Sequence, residues 1–247
     1  MNSMAASATA HHFNEAALKR GAGSLRHPLA RALLALTFTT GLVDAVSYLA
    51  LGRVFTANMT GNVVLLGFGI AGSGGLPVVA PIVSLGAFLV GAGAGGVLVR
   101  RLADRHPRLV ASGLATETCL LGIAAVVAAT TTVHPGNASA YALIVLMACA
   151  MGVRNAVVRS IAVPDLTTTV LTMTLTGFAA ESRPAGGSGN GSLRMSAAVL
   201  AMLAGAIAGA LLLKTSVSAP LGLAAVLAFV TWLVYVPAAV RLARAWP

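Results

Sequence analysis

Residues 41–62 read GLVDAVSYLALGRVFTANMTGN. The stretch opens inside an apolar run and carries an acid, Asp44, within it. It then breaks into a polar segment containing Gly and Asn before apolar sequence resumes. A weaker echo lies at 152–176, GVRNAVVRSIAVPDLTTTVLTMTLT. Gly41, Asp44, Ala45 and Val46 align with Gly152, Asn155, Ala156 and Val157, and Thr56 to Thr60 align loosely with Thr167 to Thr172. Two copies of a broken-helix pattern, one in each half, point to a membrane transport fold.

Composition sets the class. Of 247 residues, 57% are hydrophobic and 9% charged, with a mean hydropathy of +0.90. A soluble domain carries about 25% charged residues. The chain therefore reads as an all-α polytopic membrane protein, and the lack of alternating polar sequence disfavours a barrel. The net charge of +10 does not imply nucleic acid, because the arginines sit between apolar runs rather than on a folded basic domain. Cys119 and Cys149 fall within expected spans and read as buried free thiols. Residues 1–28 lack the apolar core of a signal peptide and read as a disordered cytoplasmic tail.

Six runs are long enough to cross a bilayer: 32–52, 78–99, 109–132, 138–160, 195–213 and 219–240. Two apolar pieces, 54–72 and 165–180, are shorter or interrupted. Basic residues decide whether they cross. With six spans and a cytoplasmic N-terminus, only Arg53 and Lys214 lie outside and the other 14 of 16 basic residues lie inside. With eight spans the split becomes 8 to 8. The positive-inside rule prefers six. The two short pieces then become re-entrant or broken helices, and equivalent elements run in opposite directions as an inverted repeat. The units are a cytoplasmic tail at 1–28, repeats at 29–134 and 135–241, and a cytoplasmic tail at 242–247. Both termini face the cytoplasm of a bacterial inner membrane. Each repeat also carries a small-residue ladder at four-residue spacing, Ala87/Gly91/Gly95 and Ala201/Gly205/Gly209. Such ladders let helix backbones approach closely, and they would also serve a homo-oligomer.

Asp44 is the most informative residue. It lies 12 positions past Ala32, roughly 18 Å into the bilayer at the helical rise. A carboxylate there needs a cavity or a partner. Thr37, Thr40, Gly41, Asp44, Ser47 and Tyr48 share one helical face as a polar stripe. The stripe fits a cation- or proton-coupling acid lining a pathway. It fits equally a structural acid hydrogen-bonded between helices. Glu117 and Arg154 have depths that permit a buried ion pair, whereas Asp44 lies too far from Arg154 in depth to be its natural partner. Asn58, Thr60 and Asn62 mark the first re-entrant tip, and Thr168 and Thr172 the second, where free backbone groups could bind an ion or polar solute. The bland alternative is that these side chains only re-satisfy broken helices. No Walker loop, CxxC or HExxH pattern is present, so no cofactor, metal site or catalytic residue is expected.

At these residues the chain resembles the YoaK-like family, bacterial integral membrane proteins classed as a domain of unknown function. Gly41 to Ala45, the run from Gly52 to Asn62 and the Gly152/Asn155/Ala156 echo carry the likeness. It covers roughly 30–241, and NMTGN at 58–62 is its most specific part. The resemblance implies about six helices and no established activity. Arg154 and Met173 stand where the family's second motif would carry Gln and Gly.

The expected function is a secondary transporter or channel for a small solute or ion, with the lipid bilayer and that solute as its partners. A non-transporting membrane scaffold or regulator and an intramembrane enzyme are the alternatives. The topology is directly testable. Single cysteines in a Cys-free background should react with an impermeant reagent in intact cells at Ser73 and Asn137, but not at His106. Strong labelling at His106 would overturn the six-span reading.

Overall fold

Lipid offers the backbone no hydrogen-bond partners, so an apolar chain closes its own bonds as helices. A computed structural model of the protein describes residues 28–103, 106–161, 171–180 and 192–244. Those residues form α1 (Pro28–Ala50), α2 (Met59–Ile70), α3 (Val79–Arg101), α4 (His106–Thr130), α5 (Ala138–Ile161), α6 (Leu171–Ala180), α7 (Ser192–Leu212) and α8 (Ser218–Arg244). Among the described residues there is no strand.

Six of these helices are long and apolar enough to cross a bilayer: α1, α3, α4, α5, α7 and α8. Their apolar spans begin and end within about two residues of the expected runs, and the exposed leucines, valines and isoleucines on their outer faces suit lipid. The 12 residues of α2 reach only about 18 Å, too short to cross. The expected piece at 54–72 is helical only from Met59, because 51–58 is non-helical. Residues 165–170 of the second piece lie outside the described residues.

Specific turns stop the helices. α1 ends with Gly52 at φ 103 and Arg53 at φ 57, and the Arg53 N–H reaches back to the Tyr48 carbonyl. That six-to-one bond with a left-handed glycine is a Schellman cap. α2 ends the same way, with Gly72 at φ 70 and the Ser73 N–H on the Phe68 carbonyl. Asn137 starts α5 by accepting from the Ala140 N–H at 2.8 Å.

α1 and α5 are the central helices, with 72% and 61% of their span windows buried against 33% or less for the others. α1 packs on α7, α3 on α5, and α4 on α8. The first two seams are closed by glycine in matching positions. A Cβ on Gly41 would meet the Met202 carbonyl and, at 2.6 Å, the Ala206 nitrogen. A Cβ on Gly152 would meet the Phe88 carbonyl and, at 2.7 Å, the Ala92 nitrogen. Gly205 lies on the Phe38 carbonyl, as Gly91 lies on the Cys149 carbonyl. Gly209 faces the Ala45 Cβ at 2.8 Å, as Gly95 faces the Ala156 Cβ at 2.7 Å. The small-residue ladders are thus spent on contacts within the chain. Each seam is parallel, because residue numbers rise together along it.

α1 and α5 run oppositely: Leu33 shares a cluster with Val158, while Thr40 meets Arg154. The thiols depart from expectation. Cys119 is exposed on the outer face and Cys149 is half-buried. A position read from hydropathy alone says that a residue lies in a span, not which side of the helix it occupies.

The seams give a sharp test. Gly205→Ala or Gly91→Ala should lower stability in detergent by about 1–3 kcal/mol, the usual cost of overpacking. Gly86→Ala and Gly122→Ala, where nothing lies within 4 Å of the added carbon, should leave it unchanged or slightly higher. Equal melting temperatures for all four variants would contradict tight seams.

Candidate functional site

The break between α1 and α2 leaves residues 51–58 without helical hydrogen bonds inside a membrane-spanning fold. Each such group would be costly in lipid, so side chains must answer it. Asp44 answers two: its Oδ1 accepts from the Thr56 N–H at 3.3 Å and the Ala57 N–H at 3.0 Å. The Asn58 N–H also faces this carboxylate. Asn62 answers the next. Its Oδ1 accepts from the Phe55 N–H at 2.8 Å, and its Nδ2 donates to the Phe55 carbonyl at 2.6 Å. The Ser84 hydroxyl of α3 donates to that same carbonyl at 2.6 Å and accepts from Asn62 Nδ2 at 3.2 Å.

Three positions of the NMTGN run, Asn58, Gly61 and Asn62, now have roles. Asn58 caps α2 by accepting from the Gly61 N–H at 3.3 Å. A Cβ on Gly61 would lie 2.8 Å from the Phe55 ring, which itself stacks on Tyr48 with centroids 5.0 Å apart. Asn62 is fully buried and clasps Phe55. Thr60 and Asn58 lie at the surface.

Asp44 is 6% exposed, and its second oxygen, Oδ2, has no hydrogen-bond partner. The buried Thr56 hydroxyl is likewise unpartnered. Ser47 contributes only a bond from its hydroxyl to the Asp44 carbonyl at 3.2 Å. The polar stripe is therefore not one wet face. Thr37 and Thr40 bond back to their own helix, Gly41 lies against α7, and Tyr48 is partly exposed.

The second cluster joins α1, α4 and α5. Glu117 and Arg154 form a buried, two-pronged ion pair, with Arg154 Nε on Glu117 Oε2 at 2.9 Å and Arg154 Nη2 on Glu117 Oε1. Arg154 Nη1 donates to the Leu36 carbonyl at 2.8 Å and Thr40 Oγ1 at 2.7 Å, and Nη2 donates to Thr39 Oγ1 at 2.8 Å. All five guanidinium N–H donors are thereby used. The long side chain carries this charge to the level of Thr40, one turn from Asp44 and deeper than its backbone position implies. A cavity of about 30 Å³ ends at this pair, walled by Leu33, Leu36, Leu114 and Val157. That is room for a water and too small for a solute.

The remaining expected residues lie on α5 and α6 or outside the described residues. Asn155 is half-buried on α5, and Thr172 is exposed on α6. Thr168 lies outside the described residues. Sequence reasoning did not single out Ser84, Thr39 or the backbone of Phe55. Ser84 had a usable signal, being the lone hydroxyl in the apolar run 79–99.

A family model described as "Protein of unknown function (DUF1275)" matches residues 32–234. The chain belongs to the DUF1275 family. Both clusters lie inside the matched region. A relative, "UPF0700 transmembrane protein YoaK" of Bacillus subtilis (strain 168), is 35% identical over 141 residues. That match covers 57% of this chain and 61% of the relative, so the chain spans about three fifths of the length of the curated family member it matches. No solved structure matches.

The ion pair yields a prediction. Arg154→Met alone strands a buried carboxylate and should cost about 3–5 kcal/mol of stability. The double variant Glu117→Leu/Arg154→Met should recover much of that loss. Additive losses measured in detergent would contradict direct pairing.

Proposed function

We propose that this DUF1275 protein is a secondary transporter or channel for a small solute or ion, built from two inverted copies, 29–134 and 135–241. The observation that carries this reading is the pair of matched seams. α1 meets α7 through Gly41, Gly205 and Gly209, and α5 meets α3 through Gly152, Gly91 and Gly95, with equivalent contacts in each. The central helices α1 and α5 run oppositely, as inverted copies require. Folds of this kind place their sites where helices break near the bilayer middle. The break at 51–58 is such an interruption at the end of the α1 span rather than at mid-bilayer, and Asp44 reaches it from within α1.

In this reading Asp44 is the coupling acid, with Ser47 and Asn62 shaping its surroundings and Asn58 and Thr60 at the mouth of the break. By sequence alignment Asn155 holds the place of Asp44 in the second copy, with Thr168 and Thr172 as that copy's candidate tip residues. Glu117 and Arg154 hold α1, α4 and α5 together. The reading needs no catalytic residue and no cofactor. In this reading both termini lie on the cytoplasmic side of the inner membrane, which the distribution of arginines supports. A scaffold acting through its glycine ladders is disfavoured, because those ladders are already buried against partner helices of the same chain.

Reconstitution tests the proposal. Proteoliposomes given a mixed pool of small solutes should accumulate at least one of them when an ion gradient is imposed. Asp44→Asn should insert and purify normally yet lose gradient-driven uptake. Flux no greater than in empty liposomes, under proton and sodium gradients of either sign, would overturn the transport reading.

A further inference from the structure

Buried polar atoms nearly always find partners, so those that do not need an explanation. Among the described residues, two buried side-chain oxygens or nitrogens lack one: Asp44 Oδ2 and Thr56 Oγ1. The two residues are direct neighbours. The Thr56 N–H is bonded to the other oxygen of the Asp44 carboxylate. Asp44 is 6% exposed and Thr56 0%.

Charge narrows what would satisfy both atoms. The Arg154 guanidinium cannot serve Asp44, since its five donors are taken by Glu117, Leu36, Thr39 and Thr40. Glu117 and Arg154 cancel each other. Asp44 is left as an acid at membrane depth with no cationic side chain paired to it among the described residues. The N–H groups of Thr56, Ala57 and Asn58 spread its charge but do not cancel it. A proton would neutralise the carboxylate and leave the threonine hydroxyl unsatisfied. A water would serve both oxygens and leave the charge. A monovalent cation does both. Carboxylate and hydroxyl oxygens are hard donors suited to alkali cations rather than soft metals. A divalent ion would exchange one uncompensated charge for another.

We propose that Asp44 Oδ2 and Thr56 Oγ1 are two oxygen ligands of a monovalent alkali-cation site at the break between α1 and α2. The proposal rests on the transport reading for its purpose, the bound cation being the coupling ion, but the site itself can be measured without transport. It assigns Thr56 a role that its place in the sequence did not reveal.

The test is equilibrium stability of the purified full chain in detergent. Melting temperature is followed against NaCl, KCl and choline chloride at constant ionic strength and two pH values, with MgCl₂ as a divalent arm. A ligand that binds only the folded state raises the melting temperature saturably. Na⁺ or K⁺ should do so over choline, the two arms identifying which cation is taken. Asp44→Asn should abolish the rise. Thr56→Val should weaken half-saturation by about tenfold or more, the least expected for losing a ligand when even outer-shell changes cost that much. Thr56→Ser should preserve it. In choline, Thr56→Val should be at least as stable as wild type, since it removes an unsatisfied buried hydroxyl. The threonine pair decides the matter even if Asp44→Asn fails to fold.

Melting temperatures that follow pH but not the alkali cation would mean a proton and overturn the proposal. Curves identical in all salts would mean water and overturn it too. So would an alkali response unchanged in Thr56→Val, or one matched by Mg²⁺ alone. Cation binding without solute flux would leave the site standing and remove the transport reading. Flux without any cation response would do the reverse.

Discussion

Three consecutive peptide N–H groups, at Phe55, Thr56 and Ala57, lie in a non-helical segment of a membrane-spanning chain, and the surrounding structure depends on answering them. Water would do so at a surface. In lipid each unanswered group costs several kcal/mol. Asn62 and Asp44 supply the acceptors instead. Asn62 reaches back from α2, Asp44 reaches forward from α1, and Ser84 ties the same knot to α3. The break is held by side chains from three helices.

That arrangement fixes where close packing is needed. α1 must stay central to hold Asp44 in place, and its other side is pressed against α7 with no room for a Cβ at Gly41 or Gly205. α5 is held against α3 in the same manner. The ion pair of Glu117 and Arg154 then pins α5 and α4 to α1. A buried pair of this kind is weak evidence for stability but strong evidence of registry. Five donors in a rigid fork accept one placement of Leu36, Thr39 and Thr40 and few others.

Much of this was legible in the sequence. Hydropathy and length located six spans to within about two residues, because a helix in lipid has little choice about either. The ladders at Gly91 and Gly205 were visible as spacing, and they do lie at helix seams. Glu117 and Arg154 were legible as charges at compatible depths. The direction in which each side chain points was not legible. Periodicity put Thr37, Thr40, Gly41, Asp44, Ser47 and Tyr48 on one polar face, yet Gly41 serves a seam and the hydroxyls of Thr37 and Thr40 turn back on their own helix. Cys119 was misplaced for the same reason. Ser84 and Thr56 matter through contacts across the fold, which no local pattern encodes. Asn58, Gly61 and Asn62 were legible as a motif, but their division into cap, clearance and clasp required the path of residues 51–58.

The central claim is that Asp44 and Asn62 hold this unwound segment as firmly as a helix holds its own backbone. Residue-resolved hydrogen exchange on the protein in lipid nanodiscs tests it most directly. The amides of Phe55, Thr56 and Ala57 should exchange as slowly as those in the middle of α1, despite lacking helical bonds, and Asp44→Ala should release Thr56 and Ala57 selectively. Exchange of these amides in the wild type as fast as that of the loop at 71–77 would contradict the account.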